Sequence, residues 1–248
     1  MKIQVLGSAS GMPSACRSSS CYLIQSGEKQ YILEAGDGAA RQMVCYGVDP
    51  LSLEAVFISH THPDHVSGLF MIMQYMHLSG RKNPLPVYLP EGVLPSFESV
   101  FPFFQIFRDK WPFEFSLNPI SDGSAYQDGQ LQWQAVRNDH LDSNREYAAG
   151  YGLSADSYSF ILGDSRCRTF FYTSDILSLD CLRGKAEGSP YLLAESTHIT
   201  WEQAVRFAEK EAMTRVFLTH VPEALEHMVL PETSIPVTIV KDGQWIGR

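Results

Sequence analysis

Apolar and polar positions alternate along this chain in many short runs, not in a few long stretches of one period. Lys2–Leu6, Cys21–Ile24 and Tyr31–Leu33 predict short strands set apart by Gly/Ser-rich turns. Ala55-Val56-Phe57-Ile58-Ser59 is a compact apolar run, the composition of a strand covered on both faces. Val66–Leu78 carries Met and aromatic residues at helical spacing and predicts a helix whose methionines pack into the core. Further strands are predicted at Pro84–Leu89, Leu131–Val136, Ser157–Leu162, Thr169–Tyr172, Tyr191–Ala194, Val216–Thr219 and Pro236–Val240. An amphipathic helix over Trp201–Met213 and a connector over Pro222–Thr233 lie between the last of them. No internal repeat or linker interrupts the series. Strands with interspersed helices, and histidines at strand ends, fit a two-sheet sandwich flanked by helices, expected as one domain over 1–248.

The segment richest in chemistry follows the apolar run. Ser59-His60-Thr61-His62-Pro63-Asp64-His65 puts four candidate metal ligands within six positions, between a buried strand and a helix. Imidazole suits zinc and similar divalent ions, and a carboxylate lowers the positive charge of such a site. Four ligands so close on one loop cannot all reach a single tetrahedral ion without strain. The natural reading is two ions a few ångströms apart, an arrangement suited to in-line displacement at phosphorus. A purely structural histidine cluster is the weaker alternative, because unpaired imidazoles and a carboxylate are costly to bury.

Composition narrows the partners. The chain has 248 residues and a net charge of −9, with 44% hydrophobic and 19% charged residues, so it can bury a large core and is not disordered. An acidic balance argues against a general nucleic-acid binder, since neutralising phosphates takes a basic surface. No run of about 18 uncharged apolar residues exists, so no membrane span is expected. Cys16, Cys21, Cys45, Cys167 and Cys181 are odd in number and scattered, and Met1–Gly7 lacks a secretory core. Free thiols in a reducing cytoplasm are the expectation.

With H-x-H-x-D-H after a buried strand, the sequence resembles the metallo-β-lactamase superfamily, and within it the ribonuclease Z-like branch of phosphodiesterases. Leu6-Gly7-Ser8, Pro13, Arg17, Ser20 and Ile32-Leu33-Glu34-Ala35-Gly36-Asp37-Gly38 resemble the opening motif of that branch. Glu34 departs from it, standing where the family usually has Asp; a role in orienting a ligand is kept with a longer reach. The resemblance implies an α/β (α+β) fold, the four-layer αββα sandwich of two mixed sheets flanked by helices. It also implies a dinuclear centre with His60, His62 and His140 on one ion, Asp64, His65 and His220 on the other, and Asp175 bridging. Asp139, beside His140, competes for that ligand position, although its side chain should point to the opposite face. His77 and His227 match nothing in the pattern and read as structural or surface residues.

Two more residues follow from the resemblance. The resemblance implies that His198, three positions after Glu195, is the histidine that protonates the leaving oxygen or stabilises the developing phosphorane, with Glu195 holding the imidazole protonated. The competing reading makes Thr200 and Gln203 a capping box, with His198 merely preceding a helix. Asp64 doubles as ligand and proton acceptor. The implied reaction is hydrolysis by a hydroxide shared between two divalent ions, zinc first, manganese or iron as alternatives. Ribonuclease Z usually carries a protruding basic arm between the metal loop and the third histidine. The corresponding segment here, Gly80–Trp111, has only Arg81, Lys82, Arg108 and Lys110 as cations and is crowded with aromatics. That favours a small phosphodiester such as a cyclic nucleotide and makes tRNA 3′-processing the minor reading. Lactone, thioester and sulfate-ester hydrolysis remain alternatives within the superfamily. The aromatic residues 97–111 stack a base, close as a lid, form the interface of a homodimer of the kind the family implies, or simply fill core.

Overall fold

The computed structural model describes residues 1–247. In chain order β1 (Lys2–Gly7), β2 (Cys21–Ser26), β3 (Lys29–Ala35), β4 (Leu53–Phe57), β5 (Leu85–Pro90) and β6 (Phe115–Ile120) build one sheet. The second contains β7 (Ala125–Gln127), β8 (Gln132–Arg137), β9 (Tyr158–Gly163), β10 (Arg168–Tyr172), β11 (Tyr191–Glu195), β12 (Arg215–Thr219) and β13 (Val237–Ile239). The last strand, β14 (Trp245–Gly247), returns to the first sheet beside β1, so each sheet has seven strands. Both are mixed: β3 to β6 run parallel, as do β10 to β13, and the remaining pairs are antiparallel. The expected four-layer sandwich is therefore the fold observed.

Three apolar cores explain the layering. Between the sheets, Tyr22, Tyr31, Phe57, Trp133, Phe160, Phe170 and Tyr172 bury their rings, with Tyr22 edge-on to Tyr172 at 5.4 Å. Outside the first sheet, α1 (Ala39–Cys45) and α3 (Leu69–Leu78) press Met43, Ile72, Met73 and Met76 onto Ile32, Val56 and Val87. Outside the second, α7 (Trp201–Lys210) does the same with Ala204, Phe207 and Ala208. Of the methionines of the predicted helix, Met73 and Met76 are core, as their spacing implied, whereas Met71 faces solvent.

Several boundaries differ from the sequence reading. The helix expected over 66–78 divides into α2 (Pro63–Val66) and α3, because the Gly68 N–H bonds the Ala35 carbonyl and leaves the helical ladder. The amphipathic helix ends at Lys210, short of Met213. The aromatic segment 97–111 opens in α4 (Leu94–Glu98) and α5 (Val100–Phe103), folded onto the first sheet. There Phe101 is buried against Phe70, Phe97 and Phe115, while Phe103, Phe104 and Phe107 face solvent. The core reading thus holds for half of that segment. A further helix, α6 (Arg145–Gly150), follows β8. None of the five cysteines is paired, and among the described residues no helix is long and apolar enough to cross a membrane.

Candidate metal centre

Strand direction assembles the site. Because β9 is antiparallel to both β8 and β10, the C-terminal end of β8 lies at the same edge as those of β10, β11 and β12. His140, Asp175, Glu195 and His220 all sit at or just beyond those ends, and β4 of the opposite sheet delivers His60–His65 to the same edge. The loop is seated by close backbone contact. A Cβ on Gly36 would lie 2.1 Å from the Asp64 carbonyl, so only glycine lets α2 dock against the end of β3. Pro63 opens α2 at a position that needs no N–H, and Asp64 and His65 follow in its single turn.

The side chains converge in two groups that share one member. His60, His62, His140 and Asp175 bring ligand atoms within 4.8 Å of one another, and so do Asp64, His65, Asp175 and His220. Asp175 Oδ2 lies 3.7 Å from His140 Nε2 and 3.5 Å from His220 Nε2, and Oδ1 lies 3.4 Å from His65 Nε2. His62 Nδ1 and His140 Nε2 stand 3.2 Å apart, and His220 Nε2 is 3.0 Å from Asp64 Oδ2. All seven residues expected as ligands are therefore brought together. Asp139 is not among them: its Oδ1 accepts the backbone N–H groups of Leu177 and Ser178, tying down the loop after Asp175.

The electrostatics suit cations. Burial keeps His60 well below the ordinary imidazole value and pushes His140 down to about 4, so both rings present neutral lone pairs. Burial acts upward on the Asp175 carboxyl, but His65 and His220 outweigh it and hold the group ionised. Asp64 is likewise held well below the usual carboxylate range, its hydrogen bonds to His220 and His65 overcoming burial. Within the protein alone, buried His60 Nε2, His65 Nε2 and Asp175 Oδ1 have no hydrogen-bond partner. Orphaned buried acceptors are costly unless something else satisfies them, and inward-facing imidazoles and carboxylates in two groups fit divalent ions.

Hydroxyl groups that the sequence reading did not single out orient the ligands. Ser59 Oγ lies 2.9 Å from His60 Nδ1, which leaves Nε2 free for an ion. Thr197 Oγ1 sits 3.1 Å from His220 Nδ1 and donates to the His220 carbonyl at 2.8 Å. Glu34 is fully buried, and its Oε2 stands 3.6 Å from His65 Nδ1, consistent with the expected orienting role. At the rim, Glu195 Oε2 accepts the backbone N–H groups of Thr197 and His198 at 2.6 and 2.9 Å. Its Oε1 is 3.2 Å from His198 Nδ1, and this hydrogen bond raises the imidazole above its ordinary value. Glu195, His198 and His220 are close enough to form a third ligand group. Since both Glu195 oxygens already accept N–H donors, anchoring His198 is the better use of that carboxylate. The capping box is present too, with Thr200 and Gln203 exchanging both bonds, so the two readings of this segment coexist. His77 stacks on Trp111, and His227 is exposed.

Residues 1–186 match the family model described as anti-Pycsar protein Apyc1. The chain belongs to the Apyc1 family. A ribonuclease Z from Methanothermobacter thermautotrophicus is 23% identical to this Apyc1-family chain over a 293-residue alignment covering 98% of the chain and 94% of the relative. Among solved structures, the metallo-β-lactamase-fold protein YhfI from Bacillus subtilis superposes with a TM-score of 0.77 at 20% identity, covering 99% of this chain and 98% of that one. The short form of human tRNase Z, ELAC1, gives 0.75 at 18%, covering 100% and 99%. The fold is that of the metallo-β-lactamases, and the Apyc1-family chain stands with their ribonuclease Z-like, metal-dependent hydrolases.

Proposed function

We propose that this protein is a dinuclear phosphodiesterase acting on a small phosphodiester such as a cyclic nucleotide. The observation that carries the proposal is the pair of ligand groups joined by Asp175, with His198 held by Glu195 at their rim. His60, His62 and His140 would hold one ion and Asp64, His65 and His220 the other, zinc being the ion that best suits this donor set. Bound there, the ions supply Lewis acidity and a water of lowered pKa. The chain's own groups do the rest. The Asp64 carboxylate, kept ionised, takes the proton of the attacking water. His198, one third exposed and anchored through Nδ1, presents Nε2 to the leaving oxygen and donates the proton it needs.

The size of the substrate rests on a second feature. The segment after α3 lies on the first sheet through Phe101, which supports a small diester over a gripped RNA. A tRNA-processing endonuclease is the second reading, and what favours it is the full-length likeness to ribonuclease Z proteins. One assay separates the readings. Protein loaded with Zn2+, Mn2+ or Fe2+ is given cyclic mononucleotides, bis(p-nitrophenyl) phosphate, pre-tRNA and a lactone in parallel. Cyclic nucleotides and the aryl diester should turn over fastest. Cleavage of pre-tRNA with higher kcat/KM than any cyclic nucleotide would transfer the proposal to RNA, and turnover of the lactone alone would end it.

A further inference from the structure

The hydroxyl oxygen, N–H and carbonyl of Ser59 each reach a different part of the centre. Its hydroxyl lies against His60 Nδ1 at 2.9 Å and accepts from Ser174 Oγ at 2.7 Å. The backbone N–H donates to Glu34 Oε2 at 3.2 Å, the same oxygen that faces His65 Nδ1. Its carbonyl accepts the N–H of Tyr158 in β9, at 3.2 Å. Glu34 belongs to the first sheet and Tyr158 to the second, and Ser174 lies two residues past the end of β10 in the second. Ser59 is fully buried, as are Ser174 and Glu34.

The backbone around this residue is held in costly conformations. Glu34 has φ 60° and falls where the β2–β3 register shifts, a bulge that re-aims its side chain, and Ser174 has φ 53°. Non-glycine residues persist there only where their surroundings over-determine them. Both are partners of Ser59.

We propose that Ser59 is a positioning residue that serves both ion groups at once, its hydroxyl fixing His60 and its amide fixing the carboxylate behind His65. This rests on the two-ion reading above. With Nδ1–H donating to Ser59, His60 Nε2 is the atom left to bind. Ser174 donates to the same oxygen and keeps the hydroxyl from turning away. Both ligand groups thereby share one rigid support, although Ser59 belongs to neither.

The test uses the whole chain titrated with Zn2+ against a competing chelator, in wild type and in two single-group backgrounds, His220→Ala and His140→Ala. Ser59→Ala should weaken the His60 group, isolated in His220→Ala, about 10–100-fold, the usual loss when a ligand's outer partner is removed. It should leave the other group, isolated in His140→Ala, unchanged, because the amide remains. Glu34→Ala should reverse the pattern, and Ser59→Thr, which keeps the hydroxyl, should restore wild-type affinity. On the metal-free protein, 1H–15N NMR should find His60 in its Nδ1–H tautomer, and Ser59→Ala should release that preference. Wild-type zinc constants and an unchanged tautomer in Ser59→Ala overturn the inference, as does a lower Tm with unchanged constants, the mark of simple packing. A wild type that binds fewer than two ions sinks the two-ion reading instead, while the tautomer measurement still decides for or against the Ser59 hydroxyl.

Discussion

Thr197 illustrates how an ordinary hydroxyl acquires a role. It donates to the His220 carbonyl and faces Nδ1 of the same ring, so His220 is held at both its backbone and its imidazole. Thr197→Val keeps the shape and removes both contacts. Zinc affinity at the His220 group should fall about tenfold with little change in Tm, measured by chelator competition. His198 should behave in the opposite way: His198→Ala is expected to retain both ions by metal analysis but lose about 10²–10⁴-fold in turnover of a small phosphodiester, the usual contribution of a general acid. At this scale the sequence was informative in proportion to how unusual each residue is. Imidazoles and carboxylates at strand ends are rare enough to notice. Ser59, Ser174 and Thr197 are not, and Ser174 meets Ser59 across 115 positions of chain, a separation no local pattern encodes. Glu34 was noticed only through its motif; the bulge that turns it inward belongs to the pairing of β2 with β3.

Among the elements, mostly buried strands such as β4, β9 and β12 were readable because burial on both faces leaves a compositional mark. The three-residue edge strands β7 and β14 were not, since segments so short and mostly exposed carry no pattern of their own and their pairing comes from tertiary neighbours. The β7–β8 turn nonetheless straps the two sheets together. Its Asp128 accepts from the Tyr31 hydroxyl at 2.5 Å and the Lys29 ammonium at 3.0 Å, both on β3. Burial acts to raise the Asp128 carboxyl, but Tyr31, the N–H groups of Leu131 and Gln130, and Lys29 together hold it well below the ordinary range. Asp128→Asn should cost about 1.5–3 kcal/mol near neutral pH, read from denaturant unfolding, as expected for hydrogen bonds to a charged group. The sign follows from the lowered value: the carboxylate's contribution is complete above the unfolded aspartate pKa of about 3.9 and is lost as pH falls below it. Wild type and variant should therefore converge in acid; a gap that stays constant down to pH 2 would refute the assignment.

At the scale of the whole molecule, half of the buried side-chain polar atoms left without a partner among the described residues fall at the centre. Of the positive-φ residues other than glycine, Glu34, Ser174 and His220 lie at the centre, and so do the orphaned nitrogens of His60 and His65. Such an edge should be the least stable part of the molecule without ions. Removing them with a chelator should lower Tm on the order of 10 °C, from about 4 kcal/mol of linkage at a thousandfold excess over Kd and 2–4 °C per kcal/mol at this size. Differential scanning calorimetry before and after dialysis checks this, and an unchanged Tm would argue that the groups hold nothing. The parallel run of β10, β11 and β12 has one more consequence. Neighbouring strands keep a pitch of about 4.8 Å, so Asp175, Glu195 and His220 are spaced by the sheet itself. The His60–His65 segment opposite them is a loop and one helical turn. The centre is thus a calliper with one jaw set by strand spacing and the other, the histidine loop, clamped at Ser59, so an ion of the wrong radius finds little give on either side.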